Sequence, residues 1–307
     1  MQNTKLLLEH WQEAKRICAD RRERGEPEFP TGLSFLDDIT GGFHRGEIWI
    51  IAGKTGSGKT SLALNFARSF AEDTKHSILF MSLEMKGWQL ALRMYADMMK
   101  ESCSMLDQGK IEIDPAKDAM FEKFLKSIDY EIVEYGYTWP EVLKIFAELY
   151  AQKKPDVIFL DFMQLVEIPG RDGQRDERMA IQEYIRKLKE WANKYNLGFV
   201  IVSQLRRLPT GADYNRPPDI IDLMGSGSLE QTADKVLLIY KTIEKNETKY
   251  FINLAKNRQG KTITKSINFI GEQYRFEEIP EVTYGDSVEE IEIIKMFEGK
   301  KICSPQE

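Results

Sequence analysis

The chain has 307 residues, of which 42% are hydrophobic, so it is long enough for one large or two modest domains with a proper core. Its net charge of −6 comes from the stretch between Glu277 and Glu307, so the rest of the chain is balanced and neither supports nor excludes a nucleic-acid partner. Three widely spaced cysteines favour a reducing cytoplasm over a zinc or disulfide framework, and the sequence has no apolar run approaching the ~18 residues of a membrane span, so we expect no membrane partner.

The first predicted element is an amphipathic helix over residues 4–24. Its apolar residues recur at helical spacing, at Leu7, Trp11, Ala14 and Cys18, with charges on the other face. A linker rich in Gly and Pro follows, and we assign residues 1–30 to this helix and linker. Two interpretations stay open, because the helix could fold back on its own domain or dock on a neighbouring copy.

From residue 31 to about 280 the sequence alternates short apolar strands with helices. We predict strands over residues 47–53, 77–83, 130–135, 156–162, 198–204, 235–240, 249–256 and 265–270. We predict helices over residues 60–72, 86–100, 117–127, 139–152 and 178–196. The early strands are almost continuously apolar, whereas the last three are more polar and joined by short turns. This pattern predicts an α/β fold with a mostly parallel central sheet, flanking helices and an antiparallel extension.

The stretch AGKTGSGKTSLALNF, residues 52–66, lies between a predicted strand and a predicted helix and matches the P-loop pattern in full. Backbone N–H groups of residues 56–60 would surround a β-phosphate, Lys59 would reach the β- and γ-phosphates, and Thr60 would hold Mg²⁺. The predicted nucleotide-binding residues in this stretch are Gly53, Gly56, Ser57, Gly58, Lys59, Thr60 and Ser61.

Three further polar residues lie at the ends of other predicted strands. Asp161 ends the apolar run VIFLDF, where an unpaired carboxylate is costly, and binding Mg²⁺ through water would offset that cost, so we include it in the nucleotide and metal site. Glu84, in LFMSLEM, could orient the attacking water, or it could be an ordinary acidic residue at a helix N-terminus. Gln204, in VIVSQLRR, could hydrogen-bond a γ-phosphate, or it could be a polar residue that ends a strand.

Six motifs in this order resemble the C-terminal motor domain of DnaB-type replicative helicases, which are hexameric rings with a RecA-like fold. The motifs are AGKTGSGKTSLALNFA, LFMSLEM, VIFLDFMQLV, VIVSQLRR, DLMGSGSLEQTAD and AKNRQGK, and they fall within residues 31–280. The resemblance implies a RecA-like P-loop NTPase that uses ATP and Mg²⁺. It also implies that Glu84 is the general base and that Gln204 senses the γ-phosphate.

The motif AKNRQGK places Lys256 and Arg258 where the family has cations that enter the ATP site of the adjacent subunit. From the residues alone this stretch is a basic hairpin turn on a solvated face. The resemblance implies that Arg258 is an arginine finger, a role worth ~10³ or more in rate because it stabilises dispersed γ-phosphate charge. A shared site requires a ring or filament, and the resemblance implies a homo-hexamer whose linker helix packs on the next subunit.

The resemblance further implies two loops that grip single-stranded DNA through its phosphate backbone, here at about residues 170–178 and 206–228. The predicted contacts are Arg171, Arg175, Arg206, Arg207, Arg216, Gly225, Ser226, Gly227 and Ser228. Family members typically carry Arg-Glu where this chain has Met224-Gly225, so one charged contact is missing or replaced. Apart from Tyr214 these loops contain no aromatic residue and so no stacking platform, and we expect DNA binding to be insensitive to base sequence.

The length of the chain also departs from the family, whose members carry an N-terminal helical domain of roughly a hundred residues. We expect a natural short form, as in a phage or plasmid helicase, rather than an excised domain. The acidic tail, residues 281–307, has a capping box at Ser287 and Glu290 ahead of an apolar stripe. That tail could dock a primase or helicase loader, or it could pack on its own domain.

The function predicted from the sequence is an ATP-dependent, ring-forming DNA helicase that moves on single-stranded DNA and unwinds duplex at a replication fork. Two alternatives remain open. One is a RecA-type recombination ATPase, and the other is a RecA-fold regulatory ATPase that acts through protein partners.

Overall fold

The computed structural model describes residues 6–72, 76–134, 138–161, 163, 174–206, 216–223, 226–244 and 247–280, and for residues 174–180, 226, 228 and 244 it describes the backbone alone. The described helices are α1 (Leu7–Arg24), α2 (Ser34–Thr40), α3 (Lys59–Glu72), α4 (Gly87–Met99), α5 (Cys103–Asp107), α6 (Pro115–Ser127), α7 (Trp139–Gln152), α8 (Gln174–Tyr195) and α9 (Ser226–Thr232). The described strands are β1 (Ile48–Gly53), β2 (Ser77–Ser82), β3 (Asp129–Glu134), β4 (Val157–Asp161), β5 (Gly198–Gln204), β6 (Lys235–Glu244), β7 (Glu247–Asn257), β8 (Ile263–Ile270) and β9 (Arg275–Glu278).

The nine described strands form one sheet in the order β3-β2-β4-β5-β1-β6-β7-β8-β9. Pairing is parallel from β3 to β6 and antiparallel from β6 to β9. The predicted parallel sheet with an antiparallel extension is therefore confirmed. The parallel part has the physical consequence that the carboxyl ends of β2, β4, β5 and β1 meet at one edge, where ligands bind in open α/β sheets.

Both faces of the sheet are covered, which explains why the central strands are apolar at every position. On β1, Trp49 and Ile51 pack in the hydrophobic cluster that includes Phe66 of α3, while Ile50 packs in the opposite cluster with Ile185 of α8. All five side chains are fully buried. Burial of each such side chain stabilises the fold by about 1.5–3 kcal/mol, so β1 is held rigidly between two helical layers.

Two segments predicted as DNA-binding loops are partly helical, which corrects the prediction. The first, 170–178, ends inside α8, because no Gly or Pro interrupts the chain from residue 174 to 195. The second, 206–228, ends inside α9, where Leu229 and Ala233 are one helical turn apart and both fully buried. Tertiary packing of this apolar face outweighs the poor helix propensity of Gly227.

The other elements missing from the prediction are short ones, namely α2, α5 and β9. Inside the predicted linker, Phe29 is fully buried and contacts the rings of Phe43 and Phe70. The hydrophobic core of the sheet domain therefore already includes the end of that linker.

Helix α1 ends at Gly25, whose φ of 72° lies in the left-handed region that favours glycine. Within the described chain α1 buries none of its residues. Leu7 is 85% exposed and Trp11 is 59% exposed. Within the residues that the structure describes, no surface of the same chain covers this apolar stripe, so docking of the helix on a neighbouring copy stays a prediction. Among the described helices, none combines the length and apolar character needed to cross a membrane.

Candidate nucleotide-binding and catalytic site

The predicted nucleotide residues converge at the carboxyl edge of the four adjacent parallel strands β2, β4, β5 and β1. There most of them line a cleft of about 490 Å³, whereas Gly53 and Ser57 are not among the residues that line it. The residues lining it are Thr55, Gly56, Gly58, Lys59, Thr60, Ser61, Glu84, Met85, Gln89, Arg93, Asp161, Gln204, Phe269 and Tyr274. Residues separated by more than two hundred positions in sequence are thus brought to one site by the strand order.

The P-loop is compact because its glycines allow close backbone approach. A Cβ atom on Gly53 would lie 2.4 Å from Ser57 Oγ and 2.6 Å from the carbonyl oxygen of Ile239. Gly58 has a φ of 94°, a conformation that residues with a Cβ atom rarely adopt. Only glycine fits these two positions, so the loop can present its N–H groups to an anion.

Lys59 is the cation of the loop, and it is largely buried at 8% exposure. Its Nζ donates to the carbonyl oxygen of Lys54 at 3.0 Å. Burial lowers the pKa of Lys59, while the negative charges of Asp161 and Glu84 oppose that shift. A phosphate group in the cleft would supply the negative charge that this partly desolvated ammonium lacks.

Asp161 is the most unusual group in the cleft. It is 1% exposed, and among the described residues neither of its carboxylate oxygens has a hydrogen-bond donor within bonding geometry. Burial raises the pKa of Asp161 to about 6, the Thr60 hydroxyl lowers it because it lies nearby, and Glu84 raises it further. An unpaired buried carboxylate beside a hydroxyl and below a phosphate loop fits a hydrated Mg²⁺ ion, which would be held by Thr60 and Asp161.

Glu84 is placed by the turn that follows β2. Ser82 Oγ donates to the carbonyl oxygen of Met85 at 2.6 Å and accepts from its N–H at 3.1 Å. The N–H of Leu83 donates to the carbonyl oxygen of Asp161 at 2.8 Å, which ties this turn to the end of β4. The carboxylate of Glu84 is exposed and faces the cleft. That exposure leaves it accessible to a water molecule beside a γ-phosphate.

Gln204 is the last residue of β5, and it pairs in register with Gly53 at the start of the P-loop. The next residues leave the sheet toward the predicted DNA-binding segment. Arg206 donates its N–H to the carbonyl oxygen of Asp222 at 2.8 Å and its Nε to that of Leu223 at 3.0 Å. A displacement at Gln204 would therefore reach the segment around Leu223 through two hydrogen bonds.

The sequence-based prediction missed a set of cleft residues on α4 and in the antiparallel extension. Gln89 and Arg93 line the cleft from α4, and Tyr274 and Phe269 line it from the far side. The guanidinium carbon of Arg93 lies 4.1 Å from the centre of the Tyr274 ring. The i, i+4 spacing of Gln89 and Arg93, one turn past LEM, is the sequence signal that could have found them. Arg93 therefore adds a cation from the same chain to the lining of the cleft.

Lys256 and Arg258 do not lie in this cleft. Lys256 is paired in register with Val236, and the N–H of Arg258 donates to the carbonyl oxygen of Asp234 at 3.0 Å. The N–H of Asp234 in turn donates to the carbonyl oxygen of Ile48, the first residue of β1. The length of β1 separates that level from the P-loop by about 16 Å, farther than an arginine side chain extends.

These two cations are instead held at the C-terminal end of α9. Lys256 Nζ donates to the carbonyl oxygen of Glu230, and Arg258 donates to that of Gln231. Burial lowers the pKa of Lys256, and the charge of Arg258 lowers it further. The side chain of Arg258 is 46% exposed. The pair therefore forms a cationic surface at the amino edge of the sheet, opposite the nucleotide cleft.

The predicted DNA contacts are only partly described. Arg171, Arg207 and Gly225 lie outside the described residues, and the backbones of Arg175, Ser226 and Ser228 lie in helices. Gly227 is exposed in the first turn of α9. Arg216 donates two hydrogen bonds to the carboxylate of Asp222, at 2.6 and 2.8 Å. A DNA contact by Arg216 would require that ion pair to open. The amphipathic stretch of the tail also lies outside the described residues.

Comparison with known proteins identifies the family of the domain. A family model described as the DnaB-like helicase C terminal domain matches residues 28–278. Replicative DNA helicase DnaC of Bacillus subtilis (strain 168) is 31% identical over 254 residues, covering 80% of this chain and 56% of the relative. Replicative DNA helicase DnaB of Treponema pallidum (strain Nichols) is 29% identical over 252 residues, covering 80% of this chain and 55% of the relative. The chain spans about half the length of the curated relatives it matches.

Solved structures give the same fold. One of them, described as an ATPase domain, superposes with a TM-score of 0.76 at 23% identity, covering 88% of this chain and 98% of that chain. A second structure is described as that of a DnaB-like replicative helicase and its interactions with primase. It superposes with a TM-score of 0.73 at 22% identity, covering 91% of this chain and 68% of that chain. The predicted RecA-like fold is confirmed by these superpositions. This chain belongs to the DnaB-like helicase C-terminal domain family.

Proposed function

We propose that this chain is the ATP-driven motor of a DNA helicase that assembles as a homo-hexameric ring, moves on single-stranded DNA and unwinds duplex at a replication fork. The proposal draws on the membership of the family, on the relatives named replicative DNA helicases, and on the separation of the cleft from Arg258. The relatives also include a protein named a probable plasmid replicative DNA helicase from Chlamydia trachomatis. We therefore infer that this chain acts in replication in the bacterial cytoplasm.

In the nucleotide cleft, Lys59 and the N–H groups of the P-loop would bind the β- and γ-phosphates of ATP. Thr60 and Asp161 would hold Mg²⁺, which would neutralise charge on the phosphate oxygens. Glu84 would accept a proton from the attacking water, because it is the exposed carboxylate of the cleft that the turn after β2 holds beside Asp161. Gln204 would donate a hydrogen bond to the γ-phosphate and lose it after hydrolysis.

The observation that carries the proposal is the position of Arg258. A guanidinium at the amino edge of the sheet cannot reach its own P-loop, yet it is held partly exposed beside Lys256. In a head-to-tail ring, this edge of one copy can face the cleft of the next copy. Arg258 would then stabilise the charge that develops on the γ-phosphate of the neighbour. Efficient hydrolysis would therefore belong to the assembly.

A subunit-mixing experiment tests the shared site. Arg258→Ala chains keep an intact cleft, and Glu84→Ala chains keep an intact finger, so each variant alone should hydrolyse ATP at least about 100-fold more slowly than wild type. In an equal mixture about a quarter of the head-to-tail interfaces combine the two intact halves, and hydrolysis should return. If both variants still assemble and the mixture stays inactive, the shared-site proposal is wrong. Lys59→Ala removes the phosphate-binding ammonium. This variant should therefore stay inactive in every mixture in which the other chain does not supply an intact cleft.

Single-stranded DNA is the proposed track, and DNA-stimulated hydrolysis separates the helicase from a regulatory ATPase. We infer that DNA contacts the segments around Arg206 and the first turn of α9, together with the predicted arginines that lie outside the described residues. Stimulation should weaken steeply with salt, because phosphate contacts release counterions. Unchanged ATPase activity with and without single-stranded DNA would favour a regulator that acts through protein partners.

A second copy of the chain is also the proposed partner of α1. The apolar stripe of that helix is exposed in the single chain, and a ring would supply a neighbouring surface to cover it. We further propose that a primase or helicase loader binds the assembled ring. The tail, which the sequence predicts to be amphipathic, is the segment to delete in testing that interaction.

A further inference from the structure

Asp234 links the strand that carries the P-loop to the proposed arginine finger. Its N–H donates to the carbonyl oxygen of Ile48 at 2.8 Å, and its Oδ2 accepts from the N–H of Ile48 at 2.8 Å. These two hydrogen bonds join Asp234 to the amino end of β1, while the P-loop continues from the other end of that strand. Asp234 is only 8% exposed. Its carboxylate therefore has a fixed position relative to β1.

The carboxylate is oriented so that one oxygen is left for Arg258. Lys189 Nζ donates to Oδ2 at 2.6 Å, on the same oxygen that accepts from Ile48. Arg258 Nη1 donates to Oδ1 at 3.4 Å, and its backbone N–H donates to the Asp234 carbonyl at 3.0 Å. Asp234 thus contacts Arg258 through both its side chain and its backbone.

The C-terminal end of α9 supplies the second support. The carbonyl groups in the last turn of a helix have no intrahelical partner, and cations bind there favourably. The Nη2 group of Arg258 donates to the carbonyl oxygen of Gln231. The two terminal nitrogens of the guanidinium are therefore held by two different groups, and its remaining N–H groups stay available on the exposed side.

We propose that Asp234 is a positioning residue for Arg258, which it holds against α9 so that the guanidinium is aimed at the nucleotide of a neighbouring copy. This inference rests on the proposed function, in which Arg258 completes the neighbour's site. A side chain that is already held at two points loses little conformational entropy when it binds a phosphate. The electrostatic attraction between the guanidinium and the phosphate can then stabilise the transition state. Without the carboxylate, Arg258 would rotate about its contact with Gln231 and miss the γ-phosphate.

A merely structural role for Asp234 is the competing explanation, and the fold contains a matched control for it. Asp156 makes the same pair of backbone contacts to another strand. Its N–H donates to the carbonyl oxygen of Ser77 at 2.8 Å, and its Oδ2 accepts from the N–H of Ser77 at 2.9 Å. Asp156 also pairs with an arginine, Arg45, at 2.9 Å. It differs from Asp234 in lying between β2 and β4, away from Arg258.

The test measures how well a donor subunit restores hydrolysis to a neighbour. Arg258→Ala chains, which have intact clefts, are mixed with one of three donors. The first donor is Glu84→Ala alone, the second also carries Asp156→Asn, and the third also carries Asp234→Asn. The first two donors should restore hydrolysis equally. The Asp234→Asn donor should give a kcat about 10-fold or more lower, because misplacing a catalytic group by 1 Å costs on the order of 100-fold. The ATP concentration for half-maximal rate should not change, since the acceptor cleft is the same in all three mixtures.

The outcomes separate this inference from the proposed function. If the plain Glu84→Ala donor restores nothing, the shared site itself is wrong. If that donor works and the Asp234→Asn donor restores hydrolysis equally well, the positioning role of Asp234 is overturned. Mass measurement confirms that each donor enters the assembly. Should the Asp234→Asn donor fail to assemble, an Asp234→Glu donor keeps the charge but displaces it by one methylene, and full restoration by that variant overturns the proposal as well.

Discussion

Gly53 and Gln204 are paired in register at the carboxyl ends of β1 and β5, two adjacent parallel strands. The P-loop begins at one member of this pair, and the segment that contains Arg206 begins after the other. A nucleotide on the P-loop therefore lies beside the strand end that leads to the proposed DNA contacts. Parallel pairing of β1 with β5 is what makes this proximity independent of loop conformation.

Replacing Gln204 with Ala should separate nucleotide binding from turnover. Of the groups of the nucleotide, the amide would contact the γ-phosphate, so we expect kcat to fall about 10- to 100-fold while the nucleotide affinity changes less than about 3-fold. Stimulation by single-stranded DNA should also be lost. Steady-state ATPase assays with and without DNA, together with binding of a fluorescent nucleotide, measure both effects. Gln152→Ala, at the exposed end of α7, is the control. An unchanged kcat would remove Gln204 from the site.

Asp161→Asn should stabilise the nucleotide-free protein and abolish magnesium-dependent hydrolysis. The pKa of Asp161 is about 6 in the folded chain against an ordinary 3.8, so the folded state favours the protonated carboxyl. The free energy of unfolding is then highest below about pH 4, falls as the pH rises through 6, and is lower by about 3 kcal/mol at pH 7.5. The amide has no such loss, although its own unmet hydrogen bonds reduce the gain to about 1–2 kcal/mol.

Thermal unfolding in EDTA at two pH values tests this directly. The variant should melt roughly 4 °C above wild type at pH 7.5, and the difference should shrink toward pH 5. Added Mg²⁺ and nucleotide should raise the melting temperature of wild type only. Asp129→Asn, which changes an exposed carboxylate on β3, serves as the control at both pH values. A variant that melts below wild type at pH 7.5 would contradict the idea that Asp161 is an uncompensated buried charge.

The order of apolar strands in the sequence was enough to predict the parallel sheet, because short, almost continuously apolar runs that alternate with longer helical segments are typical of strands covered on both faces. The P-loop and Asp161 could also be found, since each combines a special residue type with a strand end. Helix α9 could not be found, because its sequence SGSLEQT has poor helix propensity and forms a helix through the burial of Leu229. Arg93 was missed because a cation on an amphipathic helix has an ordinary solvated explanation.

The glycines of the P-loop should differ in their tolerance of a side chain. Both Gly56 and Gly58 have positive φ, at 73° and 94°. A Cβ atom on Gly56 would meet nothing within 4 Å, whereas one on Gly58 would lie 2.8 Å from the Phe276 ring. That ring is packed against Phe269 and is 7% exposed, so it has little room to move.

We therefore expect Gly56→Ala to lower the free energy of unfolding by about 1 kcal/mol, from backbone strain alone, and Gly58→Ala by about 2–4 kcal/mol. Urea unfolding of the two variants gives the comparison. Equal losses would indicate that the Phe276 ring yields, and hence that the antiparallel extension is not rigid against the P-loop.

Trp11→Ala should weaken assembly without weakening the fold of the single chain. The side chain is 59% exposed on a helix that buries none of its residues within the described chain, so its removal should change the melting temperature of the dilute monomer by less than about 1 °C. In a ring, an exposed tryptophan that enters a neighbour's surface typically contributes about 2 kcal/mol, which corresponds to a roughly 30-fold higher concentration for half assembly. Mass photometry over a concentration series measures that shift. Arg16→Ala, on the opposite face of α1, should leave assembly unchanged, and equal effects of the two substitutions would show that the apolar stripe is not the docking face.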